Sequence, residues 1–294
     1  MKNRFFLILI LLISSNLLIG QSLKNVSKFG RNPGMLKMYL HVPKNLDKTK
    51  GPPLVLVLHG CTQTAKSIGA ATGWNKLADS LGFIVLYPEQ RMLNNVSKCF
   101  NFFIGMKAKK DKGETASIRN MIDYMYNKYK IDSSMVFITG MSAGAGMSNV
   151  LLNAYPEVFN AGALLAAPPT LLDGLNETST IIPRIVIIQG DEDNVTNPKM
   201  GEKVLTQWIT KNKMDSTNLK VEENFMGNNL LSTRSYYNSE KELKIVMLNI
   251  KNTGHKILID PGESLEQGGR SGIHTKDIDF HSTYWLAKFF GLVQ

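Results

Sequence analysis

The sequence has few residues of the kinds that build metal centres or disulfide frameworks. Its 294 residues include two cysteines, Cys61 and Cys99, and five histidines, and no spacing among them matches a zinc site. We therefore expect no metal ion and no organic cofactor. An even pair of cysteines in an exported protein is typical of a disulfide, so we predict a bridge between Cys61 and Cys99.

Repeats, low-complexity tracts and composition breaks are also lacking, so nothing divides the chain into modules. Its length suits one large α/β domain with a single core and is too short for two generous ones. We expect residues 21–294 to form one domain.

Long apolar runs are lacking except at the N-terminus. Lys2 and Arg4 precede the unbroken apolar residues 5–13, and small and polar residues follow up to Gly20. This run is shorter than the roughly 20 residues that span a bilayer, which disfavours the alternative of a membrane anchor. The pattern is typical of a secretory signal peptide over residues 1–20. We expect a secreted or periplasmic protein with no stable membrane insertion after the signal is removed.

The formal net charge is +10, but basic residues are not interleaved with aromatic ones. The densest basic run, residues 107–112, has no aromatic neighbours that would stack on bases. We predict a solvated loop there and no nucleic-acid partner. Basic charge would still favour approach to acidic polysaccharides or cell surfaces.

What is present is a regular alternation of apolar runs and helical periodicity. Residues 54–58 are continuously apolar, as in a strand covered on both faces, and Trp74, Leu77 and Leu81 then recur at helical spacing. This alternation predicts an α/β fold with a mostly parallel central sheet flanked by helices. Further strands are expected at 35–42, 83–87, 135–139, 161–167, 184–188, 231–237 and 243–250, and helices at 118–129, 145–154, 204–209 and 277–290.

The pentapeptide Gly140-Met141-Ser142-Ala143-Gly144 lies between a predicted strand and a predicted helix. G-x-S-x-G in that context is the nucleophile elbow of α/β-hydrolases, in which a sharp turn exposes the serine hydroxyl above the sheet. Glycines flank the serine because side chains there would collide with the neighbouring strand and helix. Ser142 is the predicted nucleophile.

A serine hydroxyl needs a histidine to take its proton and a carboxylate to orient that histidine. In this fold the order along the chain is serine, acid, histidine, with each partner in a loop after a later strand. His255, which follows the predicted strand 243–250, is the expected base. The other histidines precede the serine, lie in a glycine-rich loop, or fall on the apolar stripe of the last helix: His41, His59, His274 and His281.

The residue types alone leave alternatives for the catalytic acid and for one of the two oxyanion donors. Three adjacent carboxylates follow the strand 184–188: Asp191, Glu192 and Asp193. The distance that each side chain can span does not distinguish which of them contacts the histidine. The N–H of Ala143, directly after the serine, is one expected oxyanion donor. The loop after residues 54–58 supplies the other, for which we favour the N–H of Cys61 with Thr62 as the alternative.

Several blocks together resemble one family of esterases, and the resemblance covers about residues 35–292. The family is that of the polyhydroxybutyrate depolymerases, which shades into the feruloyl and acetyl xylan esterases of carbohydrate esterase family 1. The blocks are Leu58-His59-Gly60-Cys61-Thr62-Gln63, Gly73-Trp74-Asn75, residues 82–90, Cys99-Phe100-Asn101, residues 140–144 and residues 289–292.

The resemblance implies a role for Asp193. The family pattern Gly-x-x-Asp-x-x-Val begins at Gly190, which places Asp193 at its acid, while Val195 comes one residue earlier than the pattern has it. Gln189 stands where many members carry His, and Ala145 where many carry a third Gly. These departures leave the Ser142, Asp193, His255 triad intact and bear on substrate preference.

The leading hypothesis is therefore an exported serine esterase that works through an acyl-enzyme on a polyester, an oligomer or an acylated polysaccharide. The alternatives are a feruloyl or acetyl xylan esterase and, more remotely, an inactive binding protein on the same scaffold. The intact order of serine, acid and histidine argues against the inactive protein. Phe100, Phe102 and Phe103 would either grip an aromatic acyl group or pack on their neighbours.

Overall fold

A ten-stranded sheet forms the centre of the structure, a computed structural model that describes residues 23–47, 49, 51–105, 109–170 and 181–293. The predicted signal peptide, residues 1–20, and residues 107 and 108 of the basic run lie outside the described residues. Within the described ranges, no helix combines the length and the apolar character needed to cross a membrane.

The middle of the sheet is parallel and its two edges are antiparallel. The strand order is β1-β2-β4-β3-β5-β6-β7-β10-β9-β8, and β4, β3, β5, β6, β7 and β10 run in one direction. A separate parallel pair joins β11 to β12. The strands are β1 Lys24–Val26, β2 Lys37–His41, β3 Leu54–Leu58, β4 Ile84–Glu89, β5 Val136–Met141, β6 Ala161–Leu165, β7 Arg184–Gly190, β8 Leu219–Glu223, β9 Leu231–Tyr237, β10 Leu243–Ile250, β11 Ile257–Ile259 and β12 Thr275–Asp277.

Helices cover both faces of this sheet, so the predicted α/β architecture is confirmed. In β3, Leu54, Leu56 and Leu58 face one apolar core while Val55 and Val57 face the other, as the period of two in a strand requires. One core is shared with α3, α4 and α5 and the other with α1, α2 and α6. The helices are α1 Ala65–Thr72, α2 Trp74–Leu81, α3 Gly113–Tyr129, α4 Ala143–Ala154, α5 Pro198–Lys211 and α6 Ser282–Phe290, with a 3₁₀ turn at Phe225–Gly227.

The last helix is shorter than predicted. Asp277 still belongs to β12, and Asp279 has φ of 56°, a left-handed conformation that no α-helix accommodates, so α6 begins at Ser282. His281 precedes the helix and is buried with its ring nitrogens against the carbonyl oxygens of Thr72 at 2.8 Å and Glu266 at 3.2 Å. Its buried ring therefore connects the start of α6 to the segments that carry Thr72 and Glu266.

Stacked aromatic rings connect α6 to the sheet. The ring of Phe290 stacks on Phe137 of β5 with centroids 4.8 Å apart and on Trp74 of α2 with centroids 6.0 Å apart. All three side chains are buried, so the C-terminal helix closes the core beneath the strand that carries the nucleophile elbow.

Removing this ring should destabilise the fold. We expect Phe290→Ala to lower the free energy of unfolding by about 3–5 kcal/mol, since it leaves a cavity between Phe137 and Trp74. Urea unfolding monitored by circular dichroism measures the change. The neighbouring Phe289 is partly exposed, so Phe289→Ala is the matched control and should cost less. Equal losses for the two variants would contradict the assignment of Phe290 to the core.

Candidate active site

Ser142 lies between the end of β5 and the start of α4 in a strained backbone conformation. Its φ is 56° and its ψ is −120°, a region that non-glycine residues rarely adopt. A Cβ on Gly144 would lie 2.3 Å from the carbonyl oxygen of Leu58, and one on Gly140 would lie 2.5 Å from the backbone of Gly144. Gly144 is therefore required by the close approach of the elbow to the end of β3, and Gly140 by the tightness of the elbow itself.

The loop after β3 lies directly against the serine. A Cβ on Gly60 would be 3.5 Å from Cβ of Ser142. The loop is fixed by two hydrogen bonds: His59 Nδ1 lies 2.7 Å from the carbonyl oxygen of Gly60, and the N–H of Gly60 donates to Gln63 Oε1 at 2.7 Å. The N–H of Gln90 donates to His59 Nε2, so Nδ1 carries the proton. Burial lowers the pKa of His59, which suits a neutral structural ring.

The two candidate donors on this loop differ in their hydrogen bonds. The N–H of Thr62 donates to the carbonyl oxygen of Ser97 at 2.6 Å, whereas the N–H of Cys61 makes no hydrogen bond to any residue that the structure describes. The N–H of Ala143 begins α4 and has no acceptor within the helix. The geometry therefore favours Cys61 over Thr62 as the second oxyanion donor.

A disulfide holds this loop to the segment that follows β4. Cys61 and Cys99 are bonded, with Cα atoms 4.2 Å apart, and the hydrogen bond from Thr62 to Ser97 lies beside the bridge. The predicted pairing is thus present in the structure. Cys61 is also the residue of this loop whose N–H makes no hydrogen bond to any described residue.

Asp193 is the carboxylate that lies against His255. Its Oδ2 is 2.7 Å from His255 Nδ1, and its Oδ1 accepts the N–H groups of Val195 and Thr196, each at 2.8 Å. The side chain is buried, which by itself would raise the pKa of Asp193. The hydrogen bonds from His255, Thr196 and Val195 and the histidine charge outweigh burial, so the pKa of Asp193 lies below its usual value.

The neighbouring acids have other positions. Asp191 Oδ1 accepts the N–H of Thr253 at 3.2 Å and so connects the acid loop to the histidine loop. The N–H of Glu192 donates to the carbonyl oxygen of Thr253, and the side chains of both acids are exposed. Of the three carboxylates that the sequence left open, Asp193 is the one positioned to orient His255.

The loops that carry Asp193 and His255 are in backbone contact. β7 and β10 pair in parallel up to Gly190 and Ile250, so both loops leave the sheet at the same edge. A Cβ on Gly190 would lie 2.2 Å from the carbonyl oxygen of Thr253. Ser142 leaves β5 at that edge too, and its Oγ makes no hydrogen bond to any described residue. Catalytic hydrogen bonds of unliganded hydrolases are often long and tighten on substrate binding.

Of the three phenylalanines near Cys99, two pack against neighbouring residues and one is largely exposed. Phe100 is buried, with its ring centroid 4.9 Å from that of His59. Phe102 covers Gly146 of α4, where a Cβ would lie 2.8 Å from the ring, and Phe103 meets Phe102 edge-on and is 54% exposed. Two of these rings therefore support the loops around Ser142, and Phe103 faces solvent.

Outside these loops, the described residues contain one compact group of carboxylates. Oxygens of Asp260, Asp277 and Asp279 lie within 4.8 Å of one another on the segment that carries β11 and β12. Two of the three are exposed, and Asp260 accepts a hydrogen bond from Gln267. We assign this group no part in the chemistry.

Comparison with known proteins places the chain in a family. The sequence model described as esterase PHB depolymerase matches residues 36–171. Poly(3-hydroxyalkanoate) depolymerase C of Paucimonas lemoignei is 32% identical over 312 aligned residues, which cover 97% of this chain and 73% of the relative. The chain belongs to the PHB depolymerase family of esterases. It is a carboxylic ester hydrolase with the α/β-hydrolase fold.

This esterase also resembles enzymes named for plant polysaccharides. Feruloyl esterase B of Talaromyces stipitatus is 40% identical over 150 residues, which are 50% of this chain and 40% of the relative. The structure of an acetyl xylan esterase from Aspergillus awamori superposes with a TM-score of 0.74 at 25% identity and covers 92% of this chain and all of its own. The esterase thus matches only two-fifths of the feruloyl esterase but the whole of the acetyl xylan esterase.

Sequence reasoning about this esterase missed Gln63 and Ser97, which hold the loop after β3 through hydrogen bonds to Gly60 and Thr62. Gln63 was part of the block that carried the family resemblance, yet its contact with Gly60 depends on a turn that residue types do not reveal. Ser97 acts through its carbonyl oxygen, which any residue would supply, so no sequence signal could have identified it.

The disulfide should support the oxyanion loop of the esterase. We expect Cys99→Ser combined with Cys61→Ser to lower kcat for a soluble ester more than it changes KM, because the N–H of Cys61 loses its fixed position. The free energy of unfolding should fall by about 2–4 kcal/mol. Steady-state kinetics well below the melting temperature separate the two effects. An unchanged kcat in the folded variant would show that the bridge does not position the donor.

Proposed function

We propose that Ser142, His255 and Asp193 form the catalytic triad of a serine esterase. Ser142 Oγ attacks the ester carbonyl carbon while His255 Nε2 takes the hydroxyl proton. The tetrahedral intermediate collapses, and the alcohol leaves with the proton from Nε2. Water then attacks the acyl-enzyme with His255 again as base, which releases the acid and regenerates Ser142.

The single observation that carries this proposal is the contact of 2.7 Å between Asp193 Oδ2 and His255 Nδ1 at the edge of the sheet where the strained Ser142 emerges. Asp193 fixes the tautomer with the proton on Nδ1, so Nε2 is free to accept the serine proton. The N–H groups of Cys61 and Ala143 stabilise the oxyanion. The chemistry requires no metal ion or organic cofactor.

Replacing the nucleophile tests this mechanism against an inactive binding protein. We expect Ser142→Ala to reduce the hydrolysis of p-nitrophenyl butyrate by at least about 10³-fold with an unchanged circular dichroism spectrum. A fluorophosphonate probe should label the wild-type enzyme on Ser142 and leave the variant unlabelled. Substantial activity in Ser142→Ala, or an unlabelled wild-type protein, would refute the assignment.

We further propose that the substrate is a polyester of short hydroxyalkanoic acids. Large apolar side chains are exposed on loops near the triad: Leu93 is 92% exposed, Val96 84%, Ile273 78% and Val195 68%. We call these four residues, together with Phe103, the apolar rim. A hydroxyalkanoate polyester presents methyl groups and carbonyl oxygens without hydroxyl donors along the chain, so it suits an apolar contact surface.

Short connections tie the apolar rim to the residues of the site. The segment with Leu93 and Val96 leads to Ser97, whose carbonyl oxygen holds the oxyanion loop. The N–H of Val195 donates to Asp193. The carbonyl oxygen of Ile273 accepts from Lys256, the residue after His255. These contacts connect the apolar rim to the loops that carry the proposed triad, and this connection supports the rim as the surface that a polymer contacts.

Polar substitutions in the rim should separate polymer binding from chemistry. We expect Leu93→Ser combined with Val96→Ser to reduce adsorption to polyhydroxybutyrate film and film hydrolysis several-fold, with p-nitrophenyl butyrate hydrolysis unchanged. Val221→Ser is the matched control because Val221 is 57% exposed on the edge strand β8. Equal film hydrolysis by all three proteins would reject the rim as a polymer contact.

A second candidate substrate is acetylated xylan, which the full-length superposition on the Aspergillus awamori enzyme favours. Release of 3-hydroxybutyrate, acetate and ferulate from their polymers by one enzyme preparation decides among the substrates. We also propose that residues 21–294 form a single domain and that residues 1–20 direct export to the periplasm or the medium. The disulfide between Cys61 and Cys99 supports an oxidising compartment.

A further inference from the structure

The hydroxyl of Thr196 touches both the acid and the base of the proposed triad. Its Oγ1 lies 3.0 Å from Asp193 Oδ2 and 2.9 Å from His255 Nδ1, and those two atoms are 2.7 Å apart. The three atoms thus form a closed triangle. Thr196 is buried, so water does not replace its hydroxyl.

The direction of these hydrogen bonds follows from the chemistry of the partners. An ionised carboxylate only accepts, so the Thr196 O–H donates to Asp193 Oδ2. The Nδ1–H of His255 donates to the same oxygen, and the lone pairs of Thr196 Oγ1 lie beside that N–H. The backbone N–H of Thr196 donates to Asp193 Oδ1 at 2.8 Å, so one residue holds both carboxylate oxygens.

We propose that Thr196 is a positioning residue of the catalytic apparatus, which shares Asp193 Oδ2 with His255 and thereby fixes the imidazole and limits the basicity of the carboxylate. This inference rests on the proposed triad and adds a fourth member to it. Thr196 occupies the place where the family pattern quoted above has Val, which matches Thr in shape but has no hydroxyl.

Gln189, the other departure from the family pattern in this loop, lies behind Thr196. Its Nε2 donates to the carbonyl oxygen of Thr196 at 3.0 Å and lies 3.4 Å from Asp193 Oδ2. Gln189 is buried in β7, so it keeps Thr196 in place from the side of the sheet. Gln189 and Thr196, the two residues of this loop that depart from the family pattern, therefore both contact the carboxylate of Asp193.

The sign of the pH effect can be derived from these contacts. A donor removed from Asp193 Oδ2 leaves the carboxylate more basic, and a more basic carboxylate stabilises the imidazolium form of His255 more strongly. The acid limb of the kcat/KM profile should therefore move to higher pH when the hydroxyl is lost. The other titratable groups around the pair are Asp191 and Glu192 on the acid loop and, beside His255, Lys256 and His274. These groups are the same in wild type and variant.

Thr196→Val tests the hydroxyl with little change in shape. We expect kcat for p-nitrophenyl butyrate to fall about three- to tenfold with a similar KM, as for the loss of one hydrogen bond. The acid limb of the kcat/KM profile should move up by about 0.5 pH unit. The downfield proton resonance of His255 Nδ1–H should shift or broaden. Thr196→Ser should restore all three properties.

Thr233→Val is the matched control, because Thr233 is a buried threonine of β9 outside the catalytic loops and should leave the profile unchanged. A wild-type profile and resonance in Thr196→Val would overturn the proposal. A Thr196→Ser enzyme that is as impaired as Thr196→Val would overturn the proposal as well. Labelling of Ser142 by a fluorophosphonate probe in every variant keeps this outcome distinct from a failure of the triad itself.

Discussion

Backbone contact between loops at one edge of the sheet is the constraint on which the whole site depends. The elbow lies so close to the end of β3 that a Cβ on Gly144 would be 2.3 Å from a carbonyl oxygen, and the acid loop touches the histidine loop equally closely at Gly190. Such approaches need glycine at these two places. They bring the proposed nucleophile, oxyanion donors, base and acid, which lie on four separate loops, to the same edge of the sheet.

The electrostatics of the site follow from this close packing. Burial disfavours the charge of Asp193, and it remains ionised because two backbone N–H groups of its own loop, together with His255, donate to it. Those backbone donors belong to the tight turn after β7 and do not depend on the histidine. The carboxylate is thus prepared for the imidazole before any substrate binds, as preorganised catalysis requires.

The features that could be predicted from the sequence are those that depend on residues close to one another along the chain. The elbow at Ser142 has a strand before it and a helix after it, and β3 is continuously apolar, so both were visible. Edge strands β1 and β8 were missed because they are short or polar and bury little. The choice of Asp193 needed the family pattern, and the contact of Thr196 with His255 spans 59 residues and depends on how β7 pairs with β10.

The disulfide between Cys61 and Cys99 joins the loop after β3 to the loop after β4. The loop after β3 carries the proposed oxyanion donor, and the loop after β4 carries the exposed side chains of Leu93 and Val96, which belong to the proposed apolar rim. Because Cys99 is bonded to Cys61, the proposed oxyanion donor, this loop cannot move far without displacing Cys61. On the proposed function, the disulfide therefore connects the polymer contact surface to the oxyanion donor. If the rim contacts the polymer, a change of polymer preference requires changes in its apolar side chains, whereas the bond at Cys99 must be preserved to keep Cys61 in place.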